Sequence, residues 1–101
     1  MGLLGERLTR WFLDDHGLQV VGANVRIARG EIDILAIDQG ERVAVEVRTI
    51  TGEGEPIDAA DHSKRNQVHR LARLAGANRV DFVGVRISPE AVTFHWVPGG
   101  V

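Results

Sequence analysis

A chain of 101 residues and 11.0 kDa, 44% hydrophobic and 26% charged, has the length and composition of one globular domain, expected to span 1–101. It has no cysteine, which excludes a disulfide framework and a cysteine zinc site, and no apolar run near the roughly 18 residues of a membrane span. The net charge of −2 argues against a uniformly basic nucleic-acid binder but hides an uneven split: residues 1–61 hold six Arg/Lys and twelve Asp/Glu, net −6, and residues 62–101 hold six and two, net +4.

The molecule therefore has two electrostatic halves, a split that a solvated surface with no partner could equally show. The N-terminus has neither the basic start nor the apolar stretch of a signal peptide, so a soluble, cytoplasmic protein without a membrane partner is expected.

The first element, near residues 3–16, carries Leu4, Leu8 and Trp11 at helical spacing and is followed by Gly17, a suitable residue just past a helix end. Residues 18–27, 31–37 and 42–50 are rich in Val and Ile and are broken by "RG" and "DQG", which predicts three successive strands. The glycines and proline of "TGEGEPIDAADH" at 51–62 predict a loop; they lack the spacing of a phosphate-cradling loop. From about Ser63, Val68, Leu71, Ala72 and Ala75 form a helical stripe that runs up to Gly76. Two last strands, near 79–87 and 91–97, flank "SPE", where Pro89 favours a turn. The predicted order is α-β-β-β-α-β-β.

Side chains alternate across a strand, so Glu31 and Asp33 share one face of the second strand, and Glu46 and Arg48 share one face of the third. A hairpin closed on Gln39-Gly40 sets Asp38 against Glu41 and, in register, Asp33 against Glu46 and Glu31 against Arg48. Two like charges in that relation are destabilising unless a cation offsets them. A hard divalent ion would do so with oxygen ligands, and its chemistry suits phosphodiester hydrolysis; Arg48 could instead neutralise a solvent-facing cluster.

The second helix is basic. Lys64, Arg65, Arg70 and Arg73, with His62 and His69, occur with no acidic residue between 62 and 80, which suits sequence-independent phosphate contact or a solvated face. His16, His62, His69 and His95 have no ligand-like spacing, and Trp11, Trp96, Phe12, Phe82 and Phe94 are expected in the core rather than as stacking platforms.

The segments "GERLTRWFLDDHGLQVVGANVR", "GEIDILAI", "VAVEVRT" and "KRNQVHRLARLA", in this order over nearly the whole chain, resemble the bacterial YraN-type endonuclease family, a branch of the PD-(D/E)xK nuclease superfamily, and are similar to archaeal Holliday-junction resolvases. The resemblance implies an α/β, restriction-endonuclease-like fold with a mixed central sheet flanked by helices. It implies that Asp33 and Glu46 are metal ligands for Mg²⁺ or Mn²⁺, that Glu6 joins them from the first helix, and that Glu31 lies beside them in support. Glu6 falls opposite the Leu4, Leu8 and Trp11 stripe, so its place in the site rests on the resemblance.

The superfamily has a lysine two residues after the second acid, where this chain has Arg48. Arginine stays protonated and is a poor general base, though it can hold a phosphate. Lys64, the chain's single lysine, is a candidate to approach the phosphate instead. Two functions are therefore compatible with the sequence: a metal-dependent endonuclease acting on DNA, with branched or structured DNA as candidate substrate, or a nucleic-acid-binding module that keeps the nuclease fold without turnover. Resolvases of this kind pair to grip two arms of a junction, so a homodimer is compatible too, although no stretch specifies an interface.

Overall fold

The computed structural model describes the backbone of residues 2–51 and 62–100 and the side chains of 4–51 and 65–100. In chain order the elements are α1 (Gly2–Asp15), β1 (Gln19–Ile27), β2 (Gly30–Asp38), β3 (Glu41–Thr51), α2 (His62–Leu74), β4 (Arg79–Ile87) and β5 (Val92–Val97), the order expected. The loop expected over 51–62 lies, from 52 to 61, outside the described residues, as do the side chains of His62 and Lys64.

Each helix ends on a glycine in the left-handed region, Gly17 at φ 90° and Gly76 at φ 79°. The chain then folds back so that the Leu18 N–H donates to the Leu13 carbonyl at 3.0 Å and the Ala77 N–H to the Ala72 carbonyl at 2.8 Å. These bonds satisfy carbonyls that a helix end would otherwise leave open. Leu18 and Ala77 are both buried, so each cap also aims the following strand into the core.

The strands pair in the order β1-β2-β3-β4-β5, antiparallel everywhere except β3 with β4. A parallel pair cannot be joined by a tight turn, and α2 lies in the crossover between them. The expected turn at Gln39 and Gly40 is formed with φ of 51° and 84°, the pattern whose twist matches that of a two-residue hairpin.

Each sheet face is covered by one helix. On the α1 side, Leu13 and Leu18 pack with Ile34, Ala36, Val43, Val45, Val83 and Val85, and Phe12 stacks on Phe94 at 4.4 Å between ring centres. On the α2 side, Leu71, Ala72 and Ala77 pack with Ile32, Leu35, Ala44 and Val80.

Of the apolar stripe expected on α1, Leu8 packs against the core but Leu4 and Trp11 do not. Trp11 is 63% and Leu4 46% exposed, while Gly5, Thr9 and Leu13 are buried. The reason is close approach: a Cβ at Gly5 would collide with the Thr49 side chain, so only a glycine lets the helix lie directly on β3. The Thr9 hydroxyl, which would be costly to bury unpaired, donates to the Gly5 carbonyl at 2.7 Å. Trp11 is therefore not a core residue; Phe82 is buried, and Phe12, Phe94 and Trp96 pack against the core as expected.

A buried ionic network pins the other end of the sheet. Asp81, fully buried, accepts from Arg79 at 2.8 and 3.0 Å, from Trp96 Nε1 at 3.0 Å and from the Gly99 N–H at 2.8 Å. Arg79 also reaches Asp38 at 2.8 Å and Glu41 at 3.2 Å, which ties β4 to the β2–β3 turn.

Candidate active site

The site begins where the sheet splits. The β2–β3 ladder has the expected register from Asp38↔Glu41 to Ile34↔Val45, and there it stops. Below that point β2 stays with β1 down to Gly30, and β3 continues along β4 to Thr51↔Ile87. The pairs Asp33↔Glu46 and Glu31↔Arg48, expected from simple continuation of the hairpin, are thus not rungs of the ladder. A second sign of the split lies in the core. Ile32 packs on the α2 side and Ile34 on the α1 side, although regular alternation would put them on one face, so β2 turns about its own axis at Asp33.

Asp33 closes the gap with its side chain: Oδ2 accepts the Val47 N–H at 2.8 Å. The carboxylate stands in for a backbone acceptor and is held at the mouth of the split. Opposite Asp33 on β1, between the pairs Ala23↔Ile34 and Val25↔Ile32, Asn24 adopts φ of 52°. Asn tolerates this left-handed backbone better than most residues, and its side chain donates to the Glu6 carboxylate.

Glu6 enters from α1, one residue after the glycine that seats the helix on Thr49. Its Oε1 is buried without a hydrogen-bond partner among the described residues. Burial raises the carboxyl pKa above the ordinary range; the Asn24 bond opposes the rise, the charges of Glu31 and Glu46 add to it, and Arg10 opposes it. Carboxylate oxygens of Glu6, Glu31 and Asp33 lie within 4.8 Å of one another.

Glu46 is not part of that close trio, but it is near enough for its charge to act on Glu6. Val45 and Val47 belong to the α1-side core and Ala44 to the α2-side core, so alternation turns Glu46 and the half-buried Arg48 toward the α2 side.

Of the residues expected in the site, the split brings together Glu6, Glu31 and Asp33, with Glu46 beside them. Arg65, Arg70 and Arg73 are exposed on α2 and take no part in the acidic group. Lys64 lies on α2 with its side chain outside the described residues. Four neighbours were not expected. Asn24 holds Glu6, Arg10 acts on Glu6 by its charge, and Arg26 and Arg29 line a hollow of ≈ 350 Å³ beside Glu31. The Glu6–Arg10 spacing of four residues is legible on a helix, and an Asn in the middle of "VVGANVRI" is an interruption that marks special backbone.

The donor set fits a hard divalent cation. It offers oxygens only, it concentrates negative charge, and it leaves one buried carboxylate oxygen in search of a partner.

Residues 5–85 match the family described as Uncharacterised protein family UPF0102. The chain belongs to the UPF0102 family. It is similar to the UPF0102 protein of Mycobacterium tuberculosis (strain H37Rv), 38% identical over 103 residues that cover 89% of this chain and 80% of that relative. It is equally similar to the UPF0102 protein of Mycobacterium ulcerans, 38% identical over 104 residues, with 90% and 84% covered. Among solved structures it is similar to Archaeoglobus fulgidus Hjc, a Holliday junction resolvase from an archaeal hyperthermophile. The TM-score is 0.59 at 22% identity, over 96% of this chain and 76% of that one. At that identity the likeness carries the fold alone, and this UPF0102 chain has the restriction-endonuclease-like fold that was expected. Among its described residues, no helix is long and apolar enough to cross a membrane.

Proposed function

We infer that the chain is a divalent-metal-dependent nuclease that hydrolyses phosphodiester bonds in DNA, with branched or otherwise structured DNA as its substrate class. The observation that carries this is the convergence of Glu6, Glu31 and Asp33 within 4.8 Å at the split between β2 and β3, with Glu46 close by. The fold shared with a Holliday junction resolvase supports it.

In this proposal Asp33, Glu46 and Glu6 hold Mg²⁺ or Mn²⁺, and Glu31 supports them. When bound, such an ion polarises a phosphodiester oxygen and makes a water more acidic. Asp33 is fixed by the Val47 N–H and Glu6 by Asn24, so two of the carboxylates are oriented before any ligand arrives. Arg48 offers a fork of donors to the scissile phosphate. Arg26 and Arg29 beside Glu31, and Lys64, Arg65, Arg70 and Arg73 on α2, supply phosphate contacts away from the centre. Two chains working as a homodimer would place one such centre on each of two arms of a junction.

A second function, DNA binding without turnover, is favoured by one observation: Arg48 occupies the position of a lysine that can act as a base. The deciding experiment incubates the protein with linear, flapped and four-way DNA in Mn²⁺ or in chelator. It compares wild type with Asp33→Ala, Glu46→Ala and Arg48→Lys. Metal-dependent cutting that disappears in both alanine variants establishes the nuclease. Binding without cutting, with cutting gained in Arg48→Lys, establishes the binding module. Absence of both binding and cutting at moderate salt sinks both.

A further inference from the structure

Between α1 and β1 lies an open groove of ≈ 590 Å³ that the acidic centre does not use, lined by Arg7, Arg10, Trp11, Asp14, Val21 and Gly22 among others. Trp11, which helical spacing places with Arg7 on the outer side of α1, is 63% exposed, although tryptophan is among the costliest side chains to leave in water. The opposite wall is an edge strand interrupted at Val21, where the β1–β2 register shifts, and Val21 is itself 45% exposed. The groove therefore has an indole face, two guanidinium groups and a small apolar floor at Gly22 and Ala23.

We propose that this groove binds an unpaired nucleotide of the DNA substrate, the base stacking on Trp11 and the flanking phosphates meeting Arg7 and Arg10. Three features select that occupant. An exposed indole can stack only on a base that has left its own stack, which excludes the interior of a duplex. Two guanidinium groups beside the indole complement the backbone of a single strand. Arg10 is shared between groove and centre, because its charge also acts on Glu6, so a strand leaving the acidic centre passes Arg10 on its way to Trp11. Asp14, which repels phosphate, suits the base edge as an acceptor of its N–H groups. The proposal rests on the nuclease function for the identity of the strand, and it narrows the substrate to DNA with a flap, gap or junction rather than intact duplex.

The test uses the whole chain carrying Asp33→Asn, in chelator, so that nothing is cut. The probes are a fluorescent flapped DNA and a blunt duplex of the same length. Trp11→Leu is expected to weaken flap binding about 5- to 100-fold, the range for losing one stacked base, and to leave duplex binding unchanged, while Trp11→Phe restores most of the affinity. Arg7→Gln is expected to lower the salt dependence of flap binding by about one phosphate contact. Tryptophan fluorescence of the Trp96→Phe chain should be quenched by the flap. Equal affinity of Trp11→Leu and its parent for the flap overturns the proposal, as does a loss that is the same for flap and duplex. So does a loss of self-association without a loss of flap binding, which would make the groove a contact between copies. If the wild-type chain cuts DNA and Trp11→Leu is indifferent, the groove fails and the nuclease stands. If it cuts nothing but Trp11 governs flap binding, the groove stands and the nuclease fails.

Discussion

The Asp33 carboxylate accepts the backbone N–H of Val47 at 2.8 Å, so a side chain of β2 does what a backbone carbonyl would do one rung higher in the ladder. Asp33→Asn keeps an acceptor there and removes only the charge. Asp33→Ala leaves the N–H open, which costs about 1–3 kcal/mol when the group is shielded from water. In chelator, urea denaturation should find the alanine variant less stable than the asparagine variant by about that amount, with both failing to gain stability on addition of Mn²⁺. Identical stabilities would mean that the bond contributes nothing.

Glu6 should make the metal-free protein pH-sensitive in a defined direction. Its folded-state pKa is raised, first by burial, so the folded chain holds that proton more tightly than the unfolded chain. The stabilising contribution is complete below the unfolded carboxylate value and is lost as pH rises through the raised value. In chelator near neutral pH, Glu6→Gln should melt at a higher temperature than wild type, and the difference should vanish in acid. With Mn²⁺ the order should reverse, because the wild type gains binding energy that the variant lacks. A variant that is less stable than wild type in chelator would show that Glu6 is held for structural reasons.

Gly5 separates helix propensity from packing. Alanine at an exposed helical site would be favourable by about 1 kcal/mol, but here the added Cβ meets the Thr49 side chain. Gly5→Ala is expected to lose about 1–3 kcal/mol as an overpacked contact and to weaken the Mn²⁺-induced rise in melting temperature, since Glu6 is the next residue. Adding Thr49→Ala to the same chain should recover much of both. No recovery would place the fault in the helix rather than in its seat.

Asp81 offers the opposite control. It is fully buried and accepts from Arg79, Trp96 and Gly99. Removing one partner of such a group by Asp81→Ala should cost about 3–5 kcal/mol, with Arg79 left short of an acceptor. The network joins β2 at Asp38, five residues and about 17 Å of strand from Asp33. Metal-induced stabilisation, measured below the lowered melting temperature, should therefore be unchanged. A parallel loss of the metal effect would show that the two ends of the hairpin are coupled.

The elements were legible because their signals are local. Val and Ile runs, the Gln39-Gly40 turn and the glycines at 17 and 76 each dictate backbone conformation within a few residues, and all appear where the pattern puts them. The candidate site was legible in part for the same reason: Glu31 and Asp33 alternate on one strand, whereas the turn that closes the hairpin did not fix Glu46, because the ladder ends at Ile34↔Val45.

Beyond those local signals, the chain's own order of residues determined which strands exist, how the β2–β3 hairpin is registered and which carboxylates it carries. Tertiary structure alone decided that β2 and β3 part at Asp33, where β2 stays with β1 and β3 runs on along β4, a strand more than thirty residues further on. It also decided the rotation of α1. Leu4 and Trp11 belong to the more hydrophobic stripe, yet Gly5 is what lies directly on Thr49, and that fit turns Trp11 to solvent and Glu6 toward the split. Hydrophobicity is a property that each residue carries along the chain, whereas shape complementarity belongs to two surfaces and exists only once both are folded.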